Sequence, residues 1–218
     1  MASNRPEILL LCLAYKEFLD DTYTRLFDRL SESGQLKRAK TAAGALRYLE
    51  TNSPQAIIVA DEGITEHANR TVLDKLVSYV RNGGVAIVGL HFPNFTPPAR
   101  LNSFFQQAFG LPWAQGDYHR SSFAFNPACT LPPGIVSSSF PGPYSMKVLH
   151  IMNARPHEKL FVPIEGAQTQ SLVFEPTPVD QTQAAVVGAK VGDGYVVYSG
   201  DVNPDEESDQ VILSLCGC

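Results

Sequence analysis

Apolar and polar positions alternate in blocks along the first half of the chain. Continuous apolar runs occur in "EILLLCLAY" (7–15), "AIIVADEG" (56–63) and "VAIVGLHF" (85–92). A short apolar run without alternation is typical of a strand that is covered on both faces. "LKRAKTA" (36–42) carries more charge, which predicts a weaker strand near a sheet edge.

The segments between these runs repeat apolar residues every three or four positions, which predicts helices. The predicted helices are 17–30, 43–49, 70–80 and a segment from Leu101 to Phe109. An alternating order of strands and helices favours parallel strands with helices on both faces. The sequence therefore predicts an α/β fold, a flavodoxin-like three-layer sandwich with a mostly parallel central sheet.

The second half of the chain differs in composition, because proline and glycine are frequent after Leu111. Short strand-like runs predict a β-rich insertion over 113–183: "SSFAF", "MKVLHIM", "KLFVP" and "SLVFEP". The segment 184–202 predicts a hairpin whose "GDG" turn uses Asp-Gly to supply the positive φ that such turns need. A last helix is predicted over 205–215.

Composition limits the range of functions. The chain has 218 residues, 44% of them hydrophobic and 18% charged, with a net charge of −5, which predicts one globular domain over 1–218. No basic stripe is present, which argues against nucleic-acid and membrane-surface partners. The first apolar run is too short to span a bilayer and lacks a signal-peptide pattern.

The four cysteines are Cys12, Cys129, Cys216 and Cys218. They form no CxxC pair and no zinc-type spacing, so we expect a reducing compartment and a cytoplasmic protein. The terminal "CGC" is expected to be inert. No GxGxxG follows a strand and no phosphate-binding loop is present, so no cofactor is predicted.

Candidate chemistry lies at the ends of the predicted strands, because ligands of open α/β sheets bind beyond the carboxyl ends of the strands. Polar residues follow four of the strands: Tyr15, Asp61, Glu62, His91 and the segment 201–203. We expect these groups to lie close together.

Two stretches resemble the class I glutamine amidotransferase-like superfamily, and within it the trehalose-utilisation-type branch. They are "GLHFP" at the bend after the fourth strand and "YVVYSGDVNPDEES" near the end. Glutaminases of that superfamily carry Gly-x-Cys-x-Gly at the first place and His-Pro-Glu at the second. Here His91, Asn203 and Asp205 stand at those positions. The resemblance implies the family fold and pocket, without the Cys-His-Glu triad and without glutaminase activity.

Three hypotheses follow for His91. In the first, it is an acid–base group for hydrolytic or related chemistry on a small molecule, oriented by Glu62 or Asp201. The substrate-binding residues would then be Tyr15, Asn203 and His119. In the second, the pocket is degenerate and the protein is a non-catalytic ligand- or protein-binding module. In the third, His91, His119 and a carboxylate bind a metal ion, although no metal-binding spacing supports this, and we predict no metal.

Each candidate residue also has a purely structural interpretation. His91 could satisfy backbone groups at a turn, and His119 could be a surface residue on a strand. Asp61 and Glu62 could cap the next helix, while Asp201 could bind the turn before Asn203. A small-molecule ligand and a homodimer are both compatible with the sequence.

Overall fold

The computed structural model describes residues 5–218, and within them nine strands form one sheet in the order β2-β1-β3-β4-β9-β8-β7-β5-β6. The strands are β1 (Glu7–Leu11), β2 (Gln35–Ala39), β3 (Ala56–Val59), β4 (Val85–Val88), β5 (Ala114–Phe125), β6 (Tyr144–Met152), β7 (Lys159–Pro163), β8 (Val186–Val191) and β9 (Gly194–Ser199). The helices are α1 (Phe18–Thr22), α2 (Thr24–Ser33), α3 (Ala42–Thr51), α4 (Arg70–Arg81), α5 (Phe92–Phe95), α6 (Pro98–Ser103) and α7 (Glu206–Cys216).

The sheet has a parallel half and an antiparallel half. β2, β1, β3, β4 and β9 pair in parallel, in that order. β8, β7, β5 and β6 extend the sheet from β9 in antiparallel pairs. The α/β class is confirmed, but the predicted mostly parallel sheet is wrong, because the sheet is mixed. The strands of the extension are joined without crossover helices, and parallel neighbours require such crossovers.

The antiparallel half curls back towards the parallel half. Val148 of β6 forms an isolated bridge with Asp201, just after β9, and Ile151 forms another with Ala184, just before β8. The Leu149 amide also donates to the Gly200 carbonyl at 3.0 Å. The last strand in the sheet order therefore contacts the chain beside the carboxyl end of β9.

Helices cover both faces of the parallel strands, which explains the continuous apolar runs. Ile8 and Leu10 of β1 pack in one core cluster with residues of α2 and α7, such as Leu26 and Val211. Leu9 and Leu11 pack in a second cluster with residues of α3, α4 and α6. Successive side chains of a strand point to opposite faces, so a strand covered twice has no polar face.

Two predicted helices are interrupted. The predicted helix 17–30 is divided into α1 and α2 at Tyr23, whose φ of −113° and ψ of 23° are not helical. The predicted helix around Leu101 to Phe109 consists of α6 followed by a π-helical turn over Phe104–Ala108. Periodicity identified both segments as helical, but it does not resolve a break of one residue or a change of helical pitch.

The predicted strand "SLVFEP" is wrong, because this segment is a loop. Leu172, Val173 and Phe174 are 107%, 82% and 77% exposed. Strand propensity reflects packing on a pleated, half-buried surface, and this segment is not packed on one.

The β8–β9 hairpin is confirmed, but its turn differs from the prediction. The positive φ, 63°, belongs to Gly192, the first of the two turn residues, as in type II′ turns. Gly194 is required for space, since a Cβ there would lie 2.0 Å from the Val80 carbonyl oxygen. Asp-Gly is therefore not the source of the positive φ.

The four cysteines are free thiols in the structure. Burial raises the pKa of Cys12 to about 11, so this thiol is protonated at neutral pH. Along residues 5–218, we find no helix with the length and apolar character needed to cross a membrane.

Candidate functional site

The sheet order brings four strand ends side by side. β1, β3, β4 and β9 are consecutive neighbours, and all four run in the same direction. The residues that follow them share one edge of the sheet: Tyr15 and Lys16, then Asp61 and Glu62, then His91, then Asp201. This arrangement was expected from the sequence. Their individual contacts determine what the edge can do.

The chain bends sharply after β4. Leu90 has a φ of 57°, whereas His91 has a φ of −76° and a ψ of −15° and precedes the short helix α5. The His91 amide donates to the Ala60 carbonyl at 2.9 Å, which ties the bend to the end of β3. A left-handed conformation costs energy in a residue other than glycine. The strained residue is thus Leu90, one position before the residue that the resemblance aligns with a nucleophile.

The His91 side chain is enclosed by aromatic rings. It is 3% exposed, and its ring centroid lies 4.8 Å from that of Phe18, 5.5 Å from that of Tyr23 and 5.3 Å from that of Phe95. Its side chain does not cap α5. Burial and the nearby Lys16 ammonium lower the pKa of His91 to about 4, and Glu62 opposes this shift. The imidazole is therefore neutral near pH 7.

Glu62 pairs with Lys16. One carboxylate oxygen accepts from the Lys16 ammonium at 2.5 Å, and the same ammonium lies 4.3 Å from the centroid of the Phe95 ring. The other oxygen, Oε2, is buried and has no hydrogen-bond partner within residues 5–218. The ion pair thus lies beside the His91 cluster, which we define as His91 with the rings of Phe18, Tyr23 and Phe95. One acceptor oxygen of Glu62 is unused.

Asp61 caps the turn that follows β3. Its Oδ1 accepts from the amides of Ala14 and Gly63, at 3.0 and 3.1 Å. Gly63 lies so close to the β1 loop that a Cβ would be 2.4 Å from the Ala14 nitrogen. Burial raises the pKa of Asp61, and the two amide hydrogen bonds oppose this shift. These contacts match the capping interpretation of Asp61.

Tyr15 faces the β2 side of this edge. Its hydroxyl donates to Asp20 Oδ2 at 2.7 Å, and the Lys40 ammonium lies 3.4 Å from the centroid of its ring. Asp20 also pairs with Arg38. Tyr15 therefore belongs to a surface network of paired charges.

Asp201 organises the turn between β9 and α7. Its Oδ1 accepts from the Asn203 amide at 3.1 Å, and its Oδ2 accepts from the Ser208 hydroxyl. Asp201 is 5% exposed. Burial raises its pKa to about 7, while the bonds from Ser208 and Asn203 lower it and Asp205 adds to the rise. These contacts match the interpretation that Asp201 binds the turn before Asn203.

A small cavity separates Asp201 from the His91 cluster. Its volume is about 10 Å³, which is room for one water molecule, and its lining includes Tyr23, Leu90 and Asn203. The Tyr23 hydroxyl and Asp205 Oδ2 are buried without a hydrogen-bond partner in the described part of the chain. Tyr23 thus contacts the His91 ring and also lines the cavity beside Asp201.

His119 lies in the antiparallel half, on β5. Its ring packs on that of His150, with 4.4 Å between centroids, and His150 donates through Nδ1–H to the Asp117 carbonyl at 2.9 Å. Burial lowers the pKa of both histidines, that of His150 to about 4. Among residues 5–218 no group of three or more His, Cys, Asp or Glu side chains is placed to hold a metal ion.

Several residues around the bend were not identified as site residues from the sequence. Phe18 and Tyr23 lie in the predicted helix 17–30, and Phe95 lies outside the predicted strands and helices. Lys16 follows Tyr15 directly, and that position was the one available signal for it. Residues distant in sequence meet here because α1 follows β1 and α5 follows β4, two parallel strands that are separated in the sheet by β3 alone.

Comparisons with known proteins give likeness of fold. A ThuA-like protein from Bacteroides uniformis matches 99% of this chain and 91% of its own, with a TM-score of 0.59 and 12% identity. A ThuA-like protein from Parabacteroides merdae matches 97% of this chain and 88% of its own, with a TM-score of 0.55 and 10% identity. A cytoplasmic protein from Salmonella typhimurium LT2 matches 97% of this chain and 95% of its own length, with a TM-score of 0.53 and 13% identity.

The same fold also occurs inside a larger enzyme. The β-galactosidase from Bacillus circulans matches 98% of this chain over 31% of its own length, with a TM-score of 0.53 and 12% identity. No family model and no curated protein matches the sequence. The likeness to ThuA-like structures thus shows a shared fold over nearly the whole chain.

Proposed function

We propose that this protein is a non-catalytic binding module on a glutamine amidotransferase-like fold, with a degenerate active-site bend. The observation that carries the proposal is the environment of His91. The place where the resemblance expects a nucleophile holds a neutral imidazole enclosed by Phe18, Tyr23 and Phe95. A general base needs both reach to a substrate proton and an orienting partner.

The contacts of the predicted orienting groups also favour this proposal. Glu62 is paired with Lys16, and Asp201 accepts from Ser208 and from the Asn203 amide. The cavity next to Asp201 accommodates one water rather than a substrate. A cytoplasmic location and a homodimer stay predictions.

A test compares the wild-type chain with His91→Gln, which keeps a neutral polar side chain. We expect neither protein to release ammonia from glutamine or to turn over a panel of ester, amide and glycoside substrates. Turnover by the wild type that His91→Gln loses, at an unchanged melting temperature, would overturn the proposal. In a small-molecule thermal-shift screen, a ligand of the module should raise the melting temperature of both proteins.

A second candidate function is acid–base catalysis at His91 after its aromatic cover, the rings of Phe18 and Phe95, moves away. The observation that favours it is the exposure of the cover itself: Phe18 is 47% and Phe95 is 38% exposed, on helices of five and four residues. Glu62, whose charge opposes the lowering of the His91 pKa, would then be the orienting carboxylate. If this function is correct, the wild type has a turnover that Glu62→Gln abolishes. If the protein is a non-catalytic binding module, the wild type shows no turnover at all.

A further inference from the structure

A separate cleft opens near the start of α4. It has a volume of about 200 Å³ and lies between the 3₁₀ turns at 62–69, the first residues of α4 and the α6–π-helical segment. Its floor includes Ile64, Leu73 and Phe104, which are 1%, 8% and 4% exposed. The floor is therefore apolar, and it is part of the core cluster on that face of the sheet.

The rim of the cleft is mainly cationic. Arg70 and Arg100 line it, together with His67, and Glu66 is the one acidic residue in the lining. Arg70 pairs with Asp74 at 3.0 Å, but both side chains are about 60% exposed, so this pair is weak. Arg100 forms no ion pair with any residue from 5 to 218. Both guanidinium groups are thus available to an anion.

The start of α4 adds to this positive potential. Asn69 precedes the helix, but its side chain donates to the Gly63 carbonyl at 2.7 Å and does not cap α4. α4 has 12 residues and begins at Arg70, inside the lining of the cleft. The amino end of a helix carries a partial positive charge, which favours a bound anion, although the Arg70 amide itself donates to the His67 carbonyl.

The π-helical turn forms the opposite wall. Three residues of this turn line the cleft: Phe104, Gln107 and Ala108. π-Helical turns are rare and are frequent at functional sites. The side chains of Ser103 and Gln107 form no hydrogen bond within the described chain, so their polar groups are free to contact a ligand.

We propose that this cleft binds a small amphipathic anion. Its oxyanion head, a carboxylate or a phosphate monoester, contacts Arg70 and Arg100, and its short apolar tail packs on Ile64, Leu73 and Phe104. Arginine is suited to such heads because its planar group donates two parallel hydrogen bonds. This site is distinct from the His91 bend, and the inference does not depend on whether the bend is catalytic.

The experiment measures binding of three probes by calorimetry: hexanoate, hexyl phosphate and the uncharged 1-hexanol. We expect at least one of the two anions to bind with a Kd below about 1 mM and 1-hexanol to bind at least tenfold more weakly, roughly the loss of one charge-assisted contact. Which anion binds distinguishes a carboxylate ligand from a phosphate ligand.

Three variants locate the binding. Arg100→Gln should weaken anion binding about tenfold, and Glu66→Gln should strengthen it roughly threefold, because a like charge is removed. Arg47→Gln changes an exposed arginine on α3, outside the cleft, and should bind as the wild type does. Melting temperatures of all three variants establish that they are folded.

Equal binding of 1-hexanol and the anions would overturn the proposal, and so would weakening by Arg47→Gln as large as that by Arg100→Gln. A Kd above about 1 mM for both anions would also overturn it. These results are independent of the turnover assay on His91→Gln, so failure of one proposal is distinguishable from failure of the other.

Discussion

The bend after β4 and the cleft beside α4 both follow parallel strands, yet they differ in what fills them. At the bend, Phe18, Tyr23 and Phe95 occupy the space around His91. At the cleft, the apolar floor is formed but a volume of about 200 Å³ is left open under charged side chains. The comparison teaches that the end of a strand places polar residues, while the neighbouring helices decide whether a ligand has room.

The largest effect that tests this comparison is expected from Tyr23. Tyr23→Ala should lower the free energy of unfolding by about 3–5 kcal/mol, the usual cost of removing a buried aromatic ring. Tyr23→Phe should change it by less than about 1 kcal/mol, because the hydroxyl has no hydrogen-bond partner among the described residues. Urea denaturation measures both values.

A large cost of Tyr23→Phe would contradict packing as the main role of this residue. It would indicate instead that the hydroxyl belongs to a polar network through the cavity beside Asp201. The bend would then resemble a functional site more than a packed core.

The next effect is the change in folding stability as the pH is lowered. Burial lowers the pKa of His91 from 6.5 to about 4, so between these values the unfolded chain binds more protons and the contribution of His91 to stability falls as pH falls. Asp201 acts in the opposite direction. Its pKa is raised from 3.8 to about 7, so its contribution is complete below 3.8 and is lost as pH rises through 7.

Single variants separate these opposing terms. His91→Phe should remove up to about 3 kcal/mol of destabilisation between pH 6.5 and 4, whereas Asp201→Asn should make the loss of stability on acidification steeper. Urea denaturation near pH 7 and near pH 4 measures both. Parallel pH profiles of His91→Phe and the wild type would show that the His91 ring is not desolvated.

A smaller effect is expected from the cover over His91. Phe95→Ala should admit water to the ring and raise the pKa of His91 by about one unit towards 6.5. An NMR titration of the imidazole protons measures this pKa. Phe174→Ala removes an exposed phenyl group from the loop 171–176 and serves as the control, with no shift expected. An unchanged pKa in Phe95→Ala would mean that other residues exclude water from the bend.

Much of the fold was determined by the sequence alone. The runs around Leu9, Ile57 and Ile87 predicted the buried strands, and the apolar stripe of 70–80 predicted α4. These predictions succeed because a strand or helix covered by its neighbours needs a continuous apolar surface, which is a local pattern. The order of strand ends also predicted that Glu62, His91 and Asp201 would share one edge of the sheet.

Tertiary structure alone decided the rest. "SLVFEP" has the composition of a strand but is not packed on the sheet, and β5–β8 turned a mostly parallel sheet into a mixed one, since pairing depends on partners distant in sequence. Likewise, a motif places His91 at a bend, but only the packing of α1 and α5 encloses its ring. The cleft beside α4 was not predicted, because an empty volume arises from how separate elements fit together and has no local sequence pattern.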